Sequence, residues 1–424
     1  MIDEKIIKDC LSELRSRQAK YKVYERYFNG DHDILYNYAM QDARSNMKVV
    51  VNFPRRFILE EVSYVLANPV NYISFVNDTE LINLIDLNFS HWSKVHDQEL
   101  LKQSQIFGEA YELQYINKDG EFRATVLTPL NCYVLEDETA DKNVILALHL
   151  FSKKFVTDRE FLDVYLPDRI LHYELKGDNL SLIGENTHIF KGVPINIMQG
   201  NAERKSEIDD IKSLNDAYNN VISDLVNECS DFRNAFFTIV GAEVEEADLL
   251  KMKKSGVIQV PAGASVNFLI KNLNDSFIQN LLTTIEEKIY QIASHINNQE
   301  KMQSNTSSLA MRSRLISLEN KCSLMQSQLE VVIKQRLKRF FEYIELTTNQ
   351  KYDYRTIKIK FSPNVPTDLA AIAQVITQLQ NTISQKTALS LLPFVENPEA
   401  ELEQFMKEKE LYEGINLDGV VVNE

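Results

Sequence analysis

Pro167-Asp168 followed by Glu174-Leu175-Lys176 is the nearest thing in this sequence to a catalytic signature, with the letters of a metal-dependent nuclease. That chemistry needs Asp and Glu from adjacent strands to converge on Mg²⁺, with a Lys beside the attacking water. Only five residues separate Asp168 from Glu174, and residues 170–175 read as one strand. No hairpin can bring those carboxylates together, so the plainer reading is a strand preceded by a solvated turn. The seven histidines are dispersed. His91 and His96 stand five apart on an expected helix, roughly 140° around it, and miss the i,i+4 spacing of a zinc helix. Asp31-His32-Asp33 could ligate a cation, but it follows the Asn29-Gly30 helix stop and reads as a solvated turn. Cys10, Cys132, Cys229 and Cys322 are scattered, which suggests neither a disulfide framework nor a CxxC site. No GxSxG, HExxH or Cys/His arrangement appears. Catalytic residues, metal ligands and cofactors are therefore all expected to be none.

Composition narrows the class further. A chain of 424 residues, 44% hydrophobic, can bury a large core divided among several lobes. Twelve glycines are about 3% of the chain, against roughly 7% on average, and none falls into GxGxxG or GxxxxGK[ST]. Nucleotide-binding enzymes lose most of their support. The net charge of −15 argues against a protein that clings to nucleic acid over its whole surface, though not against local contact. MIDEKIIKDC opens with charges, and the longest strongly apolar run, Val144 to Phe151, is too short for a bilayer. The chain reads as a soluble intracellular product.

Cations are better organised than carboxylates. Between Asn298 and Phe340, Lys301, Arg312, Arg314, Lys321, Lys334, Arg336, Lys338 and Arg339 stand against Glu300, Glu319 and Glu330. Two readings stay open: a basic strip facing a polyanion, or a solvated face with ion pairs to a neighbouring subunit.

The elements that must position these residues follow from periodicity. Ile278, Leu281, Leu282, Ile285, Ile289, Ile292 and Ile296 mark one helix over Asn274–Ile296. A polar loop, Asn297 to Ser307, separates it from a long helix with a near-heptad seam: Leu315, Leu318, Cys322, Met325, Leu329, Val332, Leu337, Phe340 and Ile344. Earlier, Ile6, Ile7, Leu11, Leu14, Tyr21, Tyr24 and Phe28 share a helix face. Further helices are expected over Arg56–Ala67, over Thr79–Phe107 with Thr79 as cap, and over Ser206–Arg233. Residues 110–190 read as an antiparallel meander: Tyr111–Ile116, Phe122–Leu127, Tyr133–Leu135, Val144–Phe151, Phe161–Leu166 and Ile170–Leu175. A strand–helix–strand insert spans Ala235–Val240, Glu245–Lys254 and Val257–Val260. A strand at Arg355–Phe361 and helices near Asp368–Thr382, Gln385–Leu392 and Glu399–Tyr412 close the chain.

Five segments, in order, resemble the portal proteins (head-to-tail connectors) of tailed bacteriophages, especially those of long-tailed phages of Gram-positive hosts. They are YFNGDHDI (Tyr27–Ile34) with Asn52-Phe53-Pro54-Arg55-Arg56 and Leu66-Ala67-Asn68-Pro69-Val70; Phe107–Leu135, similar to a "G-A-Y … D-G … P" hairpin; Val193–Glu228, leading into a first stem helix; SLAMRSRLISLENKC (Ser308–Cys322), similar to a Ser-x-x-Ala-(Leu/Met)-(Lys/Arg) helix start; and Ile357–Phe405, with its strand, "N-x-P" turn and Ser-initiated helix. Ala67-Asn68-Pro69 departs from the family's common Gly-Lys-Pro, and the C-terminal region is short.

The resemblance implies an α+β, mainly helical, portal-type subunit with wing, two-helix stem, small α/β clip, long tunnel helix and helical crown. Its divisions would be a wing over 1–205, stem helix 1 over 206–234, a clip over 235–270, stem helix 2 over 271–296, a tunnel loop over 297–307, a tunnel helix with a wing strand over 308–366, and a crown over 367–424. It implies a ring of twelve copies at one capsid vertex, assembled in the host cytoplasm and carried in the virion, through which double-stranded DNA is packaged and ejected. Other implied partners are the terminase large subunit, head-completion (neck) proteins, and major capsid and scaffolding proteins, with no membrane. Residues expected near DNA are Asn297, Asn298, Gln299, Lys301, Gln303, Asn305, Arg312 and Arg314; those expected in the motor-docking clip are Glu245, Glu246, Asp248, Lys251, Lys253 and Lys254. Two alternatives remain beside it. A metal-dependent DNA-processing enzyme would cleave DNA with Mg²⁺, and a cytosolic coiled-coil adaptor would be a dimer.

Overall fold

The computed structural model describes residues 3–39, 45–177, 179–232, 237–241, 262–268, 275–297, 308–362, 369–379, 382–392, 395 and 398–415. Helix α1 (Glu4–Asn29) starts where the Asp3 carboxylate accepts the N–H of Lys5 and stops at Gly30, which takes φ 88°. Its buried face is the expected stripe with Cys10 and Tyr27 added, and Ile6 is left exposed. One-turn α2 (Ile34–Asn37) follows, then α3 (Phe53–Leu66). The start of α3 lies ahead of the expected Arg56, because Asn52 caps it and Pro54 suits its first turn. Strand β1 (Asn71–Ser74) comes next.

The single helix expected over Thr79–Phe107 is two, α4 (Thr79–Phe89) and α5 (Ser93–Phe107). The cap is Asp78, which accepts the N–H of Leu81, so Thr79 is the first helical residue. Trp92 makes the break. Its indole N–H donates to the Asn88 carbonyl at 2.8 Å and its ring packs on Phe89, 5.5 Å between centroids. The bend lets Phe89 and Leu100 enter the same core. His91 therefore lies in the turn and only His96 on α5. Gly108 closes α5 at φ 87°, and a Cβ there would sit 2.3 Å from the Arg204 carbonyl oxygen.

The expected meander is divided between two antiparallel sheets. Strands β2 (Glu109–Ile116), β3 (Phe122–Leu127) and β9 (Ile195–Gln199) form one in the order β3-β2-β9. In the other, β4 (Cys132–Glu136), β5 (Val144–Phe151), β6 (Glu160–Tyr165), β7 (Arg169–Lys176) and β8 (Asn179–Thr187) follow one another. The pattern misses β8 because it is mostly exposed and lacks apolar alternation, and β9 because its partner lies far earlier in the chain. One face of the larger sheet, with Leu146, Leu148, Leu162 and Val164, buries the first half of α1. Its other face meets the smaller sheet through Ala147, Tyr165, Tyr111 and Ile195.

Helices α6 (Glu207–Phe232) and α7 (Asp275–Ala293) pack against each other, close to their expected bounds. Between them β10 (Phe237–Val240) pairs with β11 (Ser265–Phe268), a strand the pattern does not anticipate. The expected segments Glu245–Lys254 and Val257–Val260 lie outside the described residues.

Helix α8 (Ser308–Thr348) is 41 residues long. Its seam from Leu318 to Ile344 is buried in the chain's own largest core, which removes the surface a coiled-coil adaptor would need. Strand β12 (Ile357–Lys360) pairs antiparallel with β1. Helices α9 (Leu369–Leu379), α10 (Gln385–Ser390) and α11 (Pro398–Ile415) end the described chain. The fold is α+β and mainly helical, at 53% helix. Among the described residues no helix is long and apolar enough to cross a membrane.

Candidate functional site

Asn297, the first of the residues expected near DNA, is half-buried and donates from Nδ2 to Glu286 Oε1 of α7 at 3.0 Å. Asn298, Gln299, Lys301, Gln303 and Asn305 lie outside the described residues. The backbone of Arg312 and Arg314 belongs to the first turns of α8, and their side chains are outside the description. Glu245, Glu246, Asp248, Lys251, Lys253 and Lys254 are outside it as well.

Among the described side chains of the basic strip expected along α8, Lys321, Lys334 and Arg336 turn inward to partners in the same chain, which corrects both readings for those three. Lys338 is exposed, Arg339 is half-buried, and Lys334 donates to the Ile357 carbonyl. Arg336 is fully buried. Its guanidinium lies 2.5 Å from Asp97 and 2.5 Å from Glu112, over the ring of Trp92. Glu112 also accepts from Gln114 at 2.7 Å and Asn196 at 2.9 Å, and meets His96 at 2.8 Å. Burial alone would raise the Glu112 carboxyl, but Arg336 and His96 outweigh it and hold it at about 2. This site ties α8 to α5 and β2.

Lys321 sits at a second junction, where α3, α6, α7 and α8 meet. Its ammonium bridges Glu61 (2.7 Å), Glu207 and the Ala293 carbonyl at the end of α7 (3.0 Å). Glu207 is the first residue of α6, which begins after Ser206 accepts the N–H of Ile208. Helix α7 ends through Ser294 at φ 60°, and the next residue, His295, turns back onto α3. Its Nδ1 faces Glu60 at 3.0 Å, its Nε2 faces Glu61 at 2.9 Å, and its ring stacks on Phe57 at 4.3 Å. Burial lowers the imidazole pKa, yet the two carboxylates win and raise it above the ordinary value. Burial and the neighbouring Glu61 push Glu207 up to about 7, against the pull of Lys321. A cavity of about 600 Å³ opens beside the junction, lined by Arg56, Glu60, Tyr64, His295, Leu315 and Leu318. The junction is the last described structure before residues 298–307. In the sequence, Glu60, Glu61, Glu207 and His295 give no signal beyond an acidic residue at a helix start.

The remaining candidates resolve as follows. Asp31-His32-Asp33 is a packed knot, against the expected solvated turn. His32 is fully buried, donates from Nε2 to the Tyr27 carbonyl at 3.0 Å and accepts at Nδ1 from Asn219 at 3.1 Å. Asp33 is clamped by Arg26 (2.6 Å) and Lys212 (2.8 Å), which hold it at about 2 despite partial burial. Asp168 pairs with Arg169, while Glu174 pairs with Arg159 and Lys176, so the two carboxylates do not meet. Among the described residues no group of three or more His, Cys, Asp and Glu is arranged to hold a metal ion.

This arrangement, the packed helix pair α6 and α7 and a long helix on a mixed core, accompanies a match over residues 7–413 to the family described as phage portal protein, SPP1 Gp6-like. The chain belongs to this phage portal protein family. It is 21% identical to the portal protein of Bacillus phage SPP1 over 436 residues, covering 96% of this chain and 86% of that protein. It is 19% identical to the portal protein of Clostridium phage phiCD119 over 231 residues, covering 53% and 50%. Among solved structures, the neck of an empty GTA particle aligns with TM-score 0.47 and 10% identity over 79% of this chain and 88% of that one. A chain from the virion of a native gene transfer agent aligns with TM-score 0.45 and 12% identity over the same shares.

Proposed function

We propose that copies of this chain form the portal ring at one vertex of a phage capsid, the channel through which double-stranded DNA is packaged and later released. The family match across residues 7–413 carries this reading. The ring would number about twelve subunits joined by head-to-tail contacts. In this reading α6 and α7 are the stem, residues 242–261 fall in the clip that docks the terminase large subunit, residues 298–307 project towards DNA, and α9 to α11 form the crown. The subunit is structural, and ATP hydrolysis belongs to the docked motor. Neck, major capsid and scaffolding proteins are its other partners, and assembly takes place in the host cytoplasm.

The charge balance supports this role physically. A channel gripping many phosphates through fixed cations would hold DNA still, because six to ten such contacts change affinity by orders of magnitude with salt. With Arg336 and Lys321 neutralised inside the fold, α8 presents fewer free cations than its formal charge suggests. Amides in the loop would offer weak, exchangeable hydrogen bonds, each of little net energy.

Light scattering with negative-stain imaging tests the assembly. Closed rings near a dozen subunits are expected, and only monomers or dimers under assembly conditions would overturn the reading. On the same rings, Lys301→Glu is expected to impair packaging or retention of DNA while leaving assembly intact. Normal packaging by those rings would remove the loop from the DNA path.

A further inference from the structure

Residues 45–51 run extended and antiparallel along α6 and lead into Phe53, the first residue of α3, held by side chains spaced every fourth residue. The N–H groups of Phe53, Val51, Val49, Met47 and Ser45 donate in turn to Asn215, Asn219, Ser223, Asn227 and Asp231, at 3.3, 2.8, 2.9, 2.6 and 2.9 Å. Asn215 and Asn227 return their amides to the carbonyls of Val51 (3.0 Å) and Met47 (2.8 Å). The match is one of pitch. Four helical residues rise roughly 6.0 Å and two extended residues roughly 6.6 Å, so the two repeats stay in step over five rungs. Asn215, Asn219, Ser223 and Asn227 are fully buried, and their polar groups stand in for a neighbouring strand.

Along an extended chain, the N–H and C=O of alternate residues point to opposite sides. Those of residues 47, 49 and 51 face α6, so those of Asn46, Lys48 and Val50 face away from it. Among the described residues nothing hydrogen-bonds these outward backbone groups; the Lys48 ammonium, by contrast, is tied to the Leu35 carbonyl at 2.6 Å. Asn46 and Met47 are exposed, and Val49, Val50 and Val51 have the β-branched side chains that favour strands. The segment is half of a β-ladder with an open outer edge, a template for another strand.

We infer that the outer edge of Asn46–Val50 is a contact between subunits, taking an extended segment of a neighbouring copy of this chain as an added strand. This rests on the ring reading. In a ring of identical subunits a head-to-tail contact repeats at every junction, so each open edge receives one strand and none is left over. A partner present in fewer copies would leave edges unpaired, a hazard that folded proteins avoid. Every copy also carries strands with outer edges to offer, since among the described residues β1–β12 and β10–β11 are sheets of two strands.

Val50→Pro removes one outward N–H, leaves the donors to α6 in place and suits extended backbone. The variant monomer is expected to keep its circular dichroism and melting temperature, while ring formation falls roughly tenfold or more. In the wild-type protein, the amides of Asn46, Lys48 and Val50 are expected to exchange fast with solvent in monomers and slowly in rings. Should the variant fail to fold, this exchange measurement decides alone. Fast exchange of the three amides within wild-type rings, or normal assembly of folded Val50→Pro, would overturn the strand addition and leave the ring reading standing. Slow exchange already in the monomer would assign the edge to the chain's own cover, and slow exchange only after neck proteins are added would assign it to them; either overturns the proposal. A wild-type chain that never forms rings would overturn both readings.

Discussion

Arg336 and Lys321 stand 15 residues apart on α8, the first buried and the second half-buried, each a cation between two carboxylates, yet they form opposite kinds of site. The planar guanidinium distributes several donors, and Glu112 gathers further bonds from His96, Gln114 and Asn196. Arg336 and Glu112 hold each other charged, with Glu112 held near 2. The Lys321 ammonium is a single point of charge shared by Glu61, Glu207 and a helix-end carbonyl. One of its carboxylates sits near 7; among the described residues both sites keep buried polar atoms without a hydrogen-bond partner, Glu61 Oε2 in this one and Asp97 Oδ2 and Arg336 Nη1 in the other. The first site holds α5, β2 and α8 together with a carboxylate that titrates only in strong acid. The second can change charge, and it lies at the end of α7, just before residues 298–307.

The comparison predicts the largest loss at Arg336. Arg336→Leu strands Asp97 and Glu112 in the core and is expected to cost about 3–5 kcal/mol, read by denaturant unfolding. A cost below about 1 kcal/mol would show that the carboxylates re-solvate freely, and the contrast would collapse. Lys321→Met is expected to cost about 3 kcal/mol at pH 8 and clearly less at pH 5.5, where Glu207 takes up a proton and no longer needs the cation. Equal costs at both pH values would mean that Glu207 is not the adjustable member.

The same asymmetry gives the wild-type protein a pH dependence of known sign. The folded pKa of Glu207 is raised from 4.5 to about 7, so its contribution is fully present below 4.5 and lost as pH rises through 7. His295 is raised above 6.5, and its contribution is likewise lost as pH climbs through the folded value. Glu60, Glu61 and Glu112 are lowered and act oppositely, losing their contributions as pH falls below the usual carboxylate range. Glu207→Gln should therefore flatten the stability profile between pH 4.5 and 7 by on the order of 2 kcal/mol, with little change below pH 4.5. An unchanged slope would transfer the titration to His295. The smallest expected effect is outside both junctions. Asn219→Ala removes the acceptor of the Val51 N–H and the donor to His32, and should cost about 1 kcal/mol. A much larger cost would rank the α6 ladder beside the buried cations.

Much of the fold was legible where its cause is local. The α8 seam and the buried stripe of α1 are written in three- and four-residue spacings, and Gly30 and Gly108 stop helices by backbone freedom, whereas of the stripe expected on α7 only Leu282 and Ile289 are buried and Leu281 and Ile292 are exposed. The break at Trp92 was illegible, because it depends on one indole reaching the Asn88 carbonyl while Phe89 turns inward. So was the division of the meander, since β2 chooses β9 across the whole larger sheet. Of the candidate site, the junction at the end of α7 carries no signal in the sequence, because its members come from four separate helices.

By itself the sequence determined the helix periods, the strands with apolar alternation, the scarcity of phosphate-binding glycines and the order of segments that place the chain among portal proteins. Tertiary structure alone decided what the charges do. Lys321 and Arg336 read as surface cations because formal charge is the same in water and in a core. Their partners Glu61, Asp97, Glu112 and Glu207 are brought from elements hundreds or scores of residues earlier in the chain. Desolvation then separates them into a pair that stays charged and one that titrates, and burial of that kind is set by packing that no local spacing encodes.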